Sequence, residues 1–344
     1  MHKRLDVPTN IWTSLKGLQV KYYNETIVDK LSLPLLFHIK EDLRSVDVVH
    51  IQSIFNTPTP IALYQAKKLK IPVLLSPRGV LGEWIMGNGN PFKKCWLVFL
   101  IRPFASAIHW HATSEQEKEE ILTHFPESNV HVIPNGIDIQ KIQLEIDPSI
   151  TQFEFYSKQK VEGPVVVSMG RIHAKKGYDI LIKSFKMLLH DFPKALLFIA
   201  GQDEGEQKKM KHLISKLGLK NKVFFTGALN EHEKINFLAH ADLFALPSHN
   251  ENFGNVYLES LACGTPIVAS TNTPWKEAPD YNCGLWVENT ADDFYFAMKT
   301  ILENPDVYTK ENCYTLANQY SWKFIGLQFA ETFKKILSAT LKNK

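Results

Sequence analysis

Short apolar runs, many of them β-branched, alternate with longer amphipathic stretches from one end of this chain to the other. That alternation is the pattern of parallel βαβ units and predicts an α/β protein throughout. In the first half it places strands at residues 47–51, 72–76, 107–112 and 130–133, separated by helices at 60–69, 91–105 and 115–124. Ser114 stands where the N-cap of the last of these belongs, with Glu117 three residues on. A polar stretch then runs from the Pro134-Asn135-Gly136 turn to about Gly163 without strong periodicity and reads as a linker. The second half restarts with Val165-Val166-Val167-Ser168-Met169-Gly170, an apolar run fit for a strand buried on both faces. A helix at 177–190 and strands at 195–200, 223–226, 243–246 and 266–269 follow, making a second doubly wound sheet. The last helix, expected over 322–337, carries Phe324, Leu327, Phe329, Phe333 and Ile336 at near-helical spacing and must pack on something.

A length of 344 residues exceeds one ordinary core, and roughly 100 to 200 residues per domain gives two domains with a cleft between them. At 44% hydrophobic and 22% charged residues the composition is that of a globular protein with a sizeable core. No stretch approaches the roughly 18 apolar residues of a membrane span. The longest apolar passage, 95–110, is interrupted by Arg102 and Pro103 and reads as a core helix running into a strand. Met-His-Lys-Arg-Leu-Asp at the start has basic residues but no apolar region behind them, so a cytoplasmic location is expected. Cys95, Cys263, Cys283 and Cys313 show neither C-x-x-C pairing nor zinc spacing and read as buried free thiols. A net charge of +3 demands no nucleic-acid partner. Lys67, Lys68, Lys70, Lys93 and Lys94, and a second cluster from Lys208 to Lys222, lack obvious aromatic partners. They read as solvated helix faces rather than a membrane-surface patch.

Two loops carry the chemistry. Gly170-Arg171-Ile172-His173-Ala174-Lys175-Lys176-Gly177 lies between a strand end and a helix start, where backbone N–H groups and the helix dipole favour an anion. Two cations there suit a diphosphate: Arg171 as a bidentate fork, Lys176 as a mobile point charge. The second loop opens with Glu251-Asn252-Phe253-Gly254-Asn255-Val256 soon after the strand at 243–246, and Glu259 follows about one turn into the next helix. Gly254 lets the backbone approach a ligand. Two carboxylates beside bound phosphate are costly unless they accept hydrogen bonds from a hydroxyl-rich partner. A ribose and a hexose are such partners.

The Glu-x7-Glu segment, the Gly-Arg-x4-Lys-Gly loop, Val-Ile-Pro-Asn-Gly-Ile-Asp and Gly-Thr-Pro-Ile-Val-Ala-Ser together resemble the retaining glycosyltransferases of family 4, with the GT-B fold, over about residues 45 to 340. The resemblance implies two Rossmann-like doubly wound domains facing across a cleft: a shortened acceptor-side domain over 1–150, a nucleotide-sugar domain over 151–320, and a helix at 321–344 crossing back to the first. It implies that Arg171 and Lys176 bind the donor diphosphate, Glu259 the ribose and Glu251 the donor sugar. It also implies that Phe253, Gly254, Asn255 and Val256 present backbone N–H groups to sugar and phosphate, beside Asn252, and that 223–229 lies near the nucleobase. Catalysis would then rest on Glu251, Arg171 and Lys176 without a metal or other cofactor, domain closure excluding water. The donor would be a UDP- or GDP-sugar and the acceptor a saccharide or lipid-linked saccharide in lipopolysaccharide, capsule or exopolysaccharide synthesis. Peripheral contact with the inner face of the membrane is a secondary expectation.

In Ser76-Pro77-Arg78-Gly79-Val80 many relatives carry His where Arg78 stands. An Arg cannot exchange protons near neutral pH, so Arg78 and Gly79 are acceptor-side candidates of an electrostatic or positional kind. His109 and His111, around Trp110, read as core or supporting histidines rather than metal ligands, and Tyr257, Trp275 and Trp286 as core rings. Three alternatives stay open: a nucleotide-sugar epimerase or hydrolase, a donor-binding remnant without transfer activity, and, more weakly, a nicotinamide dehydrogenase, for which no G-x-G-x-x-G follows a strand.

Overall fold

The computed structural model describes residues 5–26, 31–87, 92–149 and 152–342. The chain divides into two compact units, Met1–Ile133 with Phe329–Lys344, and Pro134–Gln328. The first opens with an antiparallel hairpin of β1 (Trp12–Leu15) and β2 (Leu18–Lys21). Lys16 and Gly17 both have positive φ in the turn, as a two-residue hairpin matched to strand twist requires. Four parallel strands follow in the order β3 (Val49–Gln52), β4 (Val73–Ser76), β5 (Ile108–Ala112) and β6 (Asn129–Val132).

The second unit holds six parallel strands: β7 (Val165–Met169), β8 (Leu196–Ala200), β9 (Val223–Gly227), β10 (Leu243–Leu246), β11 (Ile267–Ser270) and β12 (Gly284–Val287). In space they run β12-β11-β10-β7-β8-β9. All five residues of β8 are buried, which is why these strands read as unbroken apolar runs. The helix Tyr178–Leu188 buries Tyr178, Leu181, Ile182, Phe185 and Leu188, a stripe at helical spacing laid against the sheet. Each such side chain contributes about 1.5 to 3 kcal/mol of transfer free energy.

Several expectations are corrected. The helix expected over 91–105 is α-helical only from Phe92 to Trp96; Leu97–Ile101 is a π turn and Arg102–Ala107 is 3-10. Pro103 explains the break, since it has no N–H to give and its ring crowds the preceding turn. Pro91 lies outside the described residues. The passage is also not core throughout: Leu97 and Ile101 are buried, but Val98, Phe99 and Leu100 are exposed. The supposed linker contains the helices Ile139–Leu144 and Gln152–Ser157, and its Ile139, Ile142 and Phe153 belong to the core of the second unit. The Phe153 and Phe198 ring centroids lie 4.7 Å apart, the rings tilted by 40°. Cys263, Cys283 and Cys313 are buried, whereas Cys95 is exposed. The hairpin and β12 were not expected. No helix among the described residues is long and apolar enough to cross a membrane.

Candidate functional site

Counted in chain order within the second unit, the strands lie 3-2-1-4-5-6, so winding reverses between β7 and β10. These two are direct neighbours, Val166 opposite Leu243 and Val167 opposite Phe244. Open α/β sheets bind ligands outside the carboxyl ends of the strands at such a switch point. The loops leaving those two ends are 170–177 and 247–254, the two that the sequence singles out.

The loops are locked together. Gly177 has φ +65°, and a Cβ there would run into the carbonyl oxygen of Pro247. The His249 amide donates to the Lys175 carbonyl at 2.8 Å. The Lys176 ammonium forms an ion pair with Glu251 Oε1, and the side chains keep only 13% and 11% of their surface exposed. Ser248 Oγ donates to the same carboxylate oxygen at 2.7 Å, and the Glu251 amide donates to the Asn272 carbonyl at 3.3 Å. A pair this buried fixes geometry, because removing either partner strands the other charge away from water.

Gly254, at φ +74°, turns the chain into the helix Asn255–Ala262, and a Cβ on it would lie 2.6 Å from the Tyr257 ring. Phe253 is buried against Trp275 and Tyr320, and Trp275 Nε1 donates to its carbonyl at 2.8 Å. Tyr257 and Trp275 are thus core rings that shape the loop from behind. Asn252 and Val256 are half-buried, and exposed Asn255 accepts from Asn135 Nδ2 at 2.8 Å. Glu259 meets Lys234 Nζ at 2.9 Å, and Lys234 also reaches Glu231 at 3.0 Å. Burial raises the Glu259 carboxyl above its ordinary value, and Lys234 opposes that shift.

Arg171 does not join Lys176. Its Nη1 donates to both Glu204 oxygens, at 3.1 and 3.0 Å, with the guanidinium largely exposed. Glu204 lies in the loop after β8, where Gly201 packs against the Gly170 carbonyl so closely that a Cβ has no room. Glu204, Lys234 and Ser248 escaped the sequence reading. Only Ser248 carried a usable signal, since it directly follows Pro247 at the end of β10.

Arg78 and Gly79 belong to the first unit, at the carboxyl end of β4, with φ +64° and +70°. A left-handed Arg is strained, and such strain persists only where its surroundings impose it. Arg78 Nε donates to Gln52 Oε1 at 2.6 Å. The buried Glu117 carboxylate accepts from the Gly79 amide at 2.6 Å and from Thr113 N and Oγ1 at 2.7 and 2.8 Å, while the Glu117 amide is capped by Ser114 Oγ at 3.1 Å. Beneath them His50, Ser76 and His111 form a chain with contacts of 2.8 and 2.6 Å, ending at the Ile133 carbonyl, 2.8 Å from His111 Nε2. Burial pushes both imidazoles down to about 4, so they are neutral near pH 7. His109 instead stacks on His131.

Residues 150–318 match the family described as Glycosyl transferases group 1, and residues 22–141 match Glycosyltransferase Family 4. A mannosylfructose-phosphate synthase from Agrobacterium fabrum is 34% identical over 149 residues, 41% of this chain and 32% of that protein. Across this and seven more curated relatives the match spans from 32% to 58% of the relative's length. Among solved structures, sucrose-phosphate synthase from Thermosynechococcus elongatus superposes with a TM-score of 0.75 at 18% identity, covering 97% of this chain and 87% of that one. Anabaena Alr3699/HepE in complex with UDP gives 0.71 at 22% identity, covering 88% and 82%. The architecture is GT-B.

Proposed function

The chain belongs to the group 1, family 4 glycosyltransferases, and on that premise we propose that it moves a hexosyl unit from a UDP- or GDP-sugar to a hydroxyl of a saccharide or lipid-linked acceptor, with retention of configuration. One observation carries the reading: the buried Lys176–Glu251 pair sits where the winding of the second sheet reverses, between the loops after β7 and β10.

In this mechanism the donor diphosphate lies over the loop 170–177, drawing Lys176 and Arg171 from Glu251 and Glu204. Negative charge develops on the diphosphate as the glycosidic bond lengthens, and both cations, with the first amides of Asn255–Ala262, stabilise it. Glu251, held by Ser248, orients the hexose and supports positive charge at its anomeric carbon. Glu259 accepts from the ribose hydroxyls. Arg78 is a fixed charge on the acceptor side. Two cations and a helix N-terminus match the leaving group, so the proposal uses no metal. A nucleotide-sugar donor places the work in the cytoplasm, and a lipid-linked acceptor places it at the inner membrane face, in the assembly of a cell-surface polysaccharide.

Calorimetry with UDP and GDP tests the donor site, and binding of neither would end this reading. Acceptor-dependent sugar transfer then separates a transferase from a nucleotide-sugar epimerase or hydrolase.

A further inference from the structure

From Val48 to Ser114 the chain carries seven Lys and Arg residues against one carboxylate, Glu83. Part of this stretch is also conspicuously apolar on its outside. Leu97 and Ile101 are buried, and Trp96 Nε1 donates to the Ile54 carbonyl at 2.9 Å, so that side anchors the segment to the first unit. The remaining large side chains point outward: Phe92 is 75% exposed, Phe99 72%, Val98 46% and Leu100 36%, with exposed Lys94 and Arg102 among them. Scattered exposed apolar residues need no explanation, but a cluster edged by cations marks an interaction surface.

The lysines have aromatic company after all. Lys67 Nζ lies 5.4 Å from the Phe104 ring, Lys68 4.6 Å from Tyr64 and Lys93 5.4 Å from Phe55. The Lys67–Phe104 contact joins the outward segment to the end of the helix Pro58–Leu69. Beside it opens a groove of about 940 Å³, lined by Lys67, Lys70, Ser106, His109, Glu127 and Asn129. The apolar face and the adjoining groove, where Lys67 and Lys70 outnumber the one carboxylate of Glu127, are features that one partner satisfies together. Rings and aliphatic chains enter the boundary between head groups and acyl chains, while lysines hold anionic head groups.

We propose that this face of the first unit docks on an acidic phospholipid bilayer, with Phe92, Val98, Phe99 and Leu100 in the interface and the Lys67–Lys70 groove holding a lipid phosphate. The inference deepens the lipid-linked branch of the proposed function but does not depend on the donor site.

The test is co-sedimentation of the full chain with vesicles of phosphatidylcholine alone or with about 30 mol% phosphatidylglycerol, at low and high salt. Binding should be at least about tenfold stronger to the acidic vesicles and fall with salt. Val98→Ser with Phe99→Ser, and separately Lys67→Gln with Lys70→Gln, should each reduce it about tenfold while UDP titrations stay unchanged. Equal binding to both vesicle types, or variants that bind like the parent, would overturn the proposal. So would a parent that ignores vesicles but forms a dimer that Val98→Ser with Phe99→Ser dissociates, for the face would then serve a second copy of the chain. A protein that binds acidic vesicles but neither UDP nor GDP keeps the docking face and loses the donor-site reading.

Discussion

Lys176 and Glu251, 75 residues apart in sequence, meet in a buried ion pair that ties the loop after β7 to the loop after β10. Each residue is therefore both a ligand candidate and the other's counter-charge.

Glu251→Gln keeps the shape of the side chain and removes its charge. Transfer should fall by about a hundredfold or more, as for loss of a group that acts in the transition state. Affinity for UDP should change by less than about fivefold, because this carboxylate is assigned to the sugar. Parallel calorimetry and turnover measurements decide the matter, and equal losses in both would contradict that role. Lys176→Met leaves Glu251 buried without its partner and should cost about 3 to 5 kcal/mol of stability, read by denaturant unfolding.

Glu259→Ala should weaken UDP or GDP binding by about 1 to 3 kcal/mol, the range for a hydrogen bond to a charged group. In the proposed role the ionised carboxylate is the stronger acceptor for the ribose hydroxyls. Since burial raises its pKa, affinity should drop on acidification at a pH above the ordinary carboxylate range. Lys234→Met removes the opposing cation and should move that drop to still higher pH, whereas Lys234→Arg should restore the parent profile. Titrations at several pH values check this, and a Lys234→Met profile that overlays the parent would disprove it.

His50 and His111 titrate near 4 in the folded protein, against an ordinary value of 6.5. The unfolded chain takes up their protons first, so their contribution is complete above about pH 6.5 and declines as pH falls toward 4. For fully buried His111 the loss should reach about 3 kcal/mol; half-buried His50 should lose less. His111→Phe should flatten the dependence of Tm on pH between those values relative to the parent. An unchanged slope would show that His111 is not the source.

Gly177→Ala forces a Cβ into the Pro247 carbonyl and an L side chain into left-handed backbone. A cost of about 1 to 3 kcal/mol in stability is expected, together with weaker nucleotide binding, because the loop must shift. If Tm and UDP affinity both match the parent, the two loops are not in the contact described.

What the sequence disclosed follows from which forces act locally. Residues 165–168 and Leu243–Leu246 are buried on both faces, so their composition announces strands, and the loops after them could be singled out from the chain alone. The hairpin Trp12–Lys21 was illegible because its register rests on a Lys16-Gly17 turn with little burial behind it. The π and 3-10 turns after Trp96 look apolar and helical until Pro103 is allowed its effect. Partnerships were hardest: Arg171 with Glu204, Lys234 with Glu259 and Glu117 with Gly79 join residues of loops and helices that become neighbours only on folding. Of the lysines read as solvated for want of aromatics, Lys67, Lys93 and Lys211 find a ring on another element and Lys68 finds Tyr64 on its own helix.

Ile137 and the segment Tyr320–Trp322 exchange hydrogen bonds of 2.9 and 3.1 Å, and Gly136 lies so close to the Trp322 indole that a Cβ there would sit 2.6 Å from it. The second unit is one uninterrupted span, Pro134–Gln328, whose two ends are fastened side by side. It is topologically an insertion, closed by its own clasp. Freeing such a span severs no strand from its sheet; the one element it cuts is the helix Trp322–Lys342, beyond the clasp.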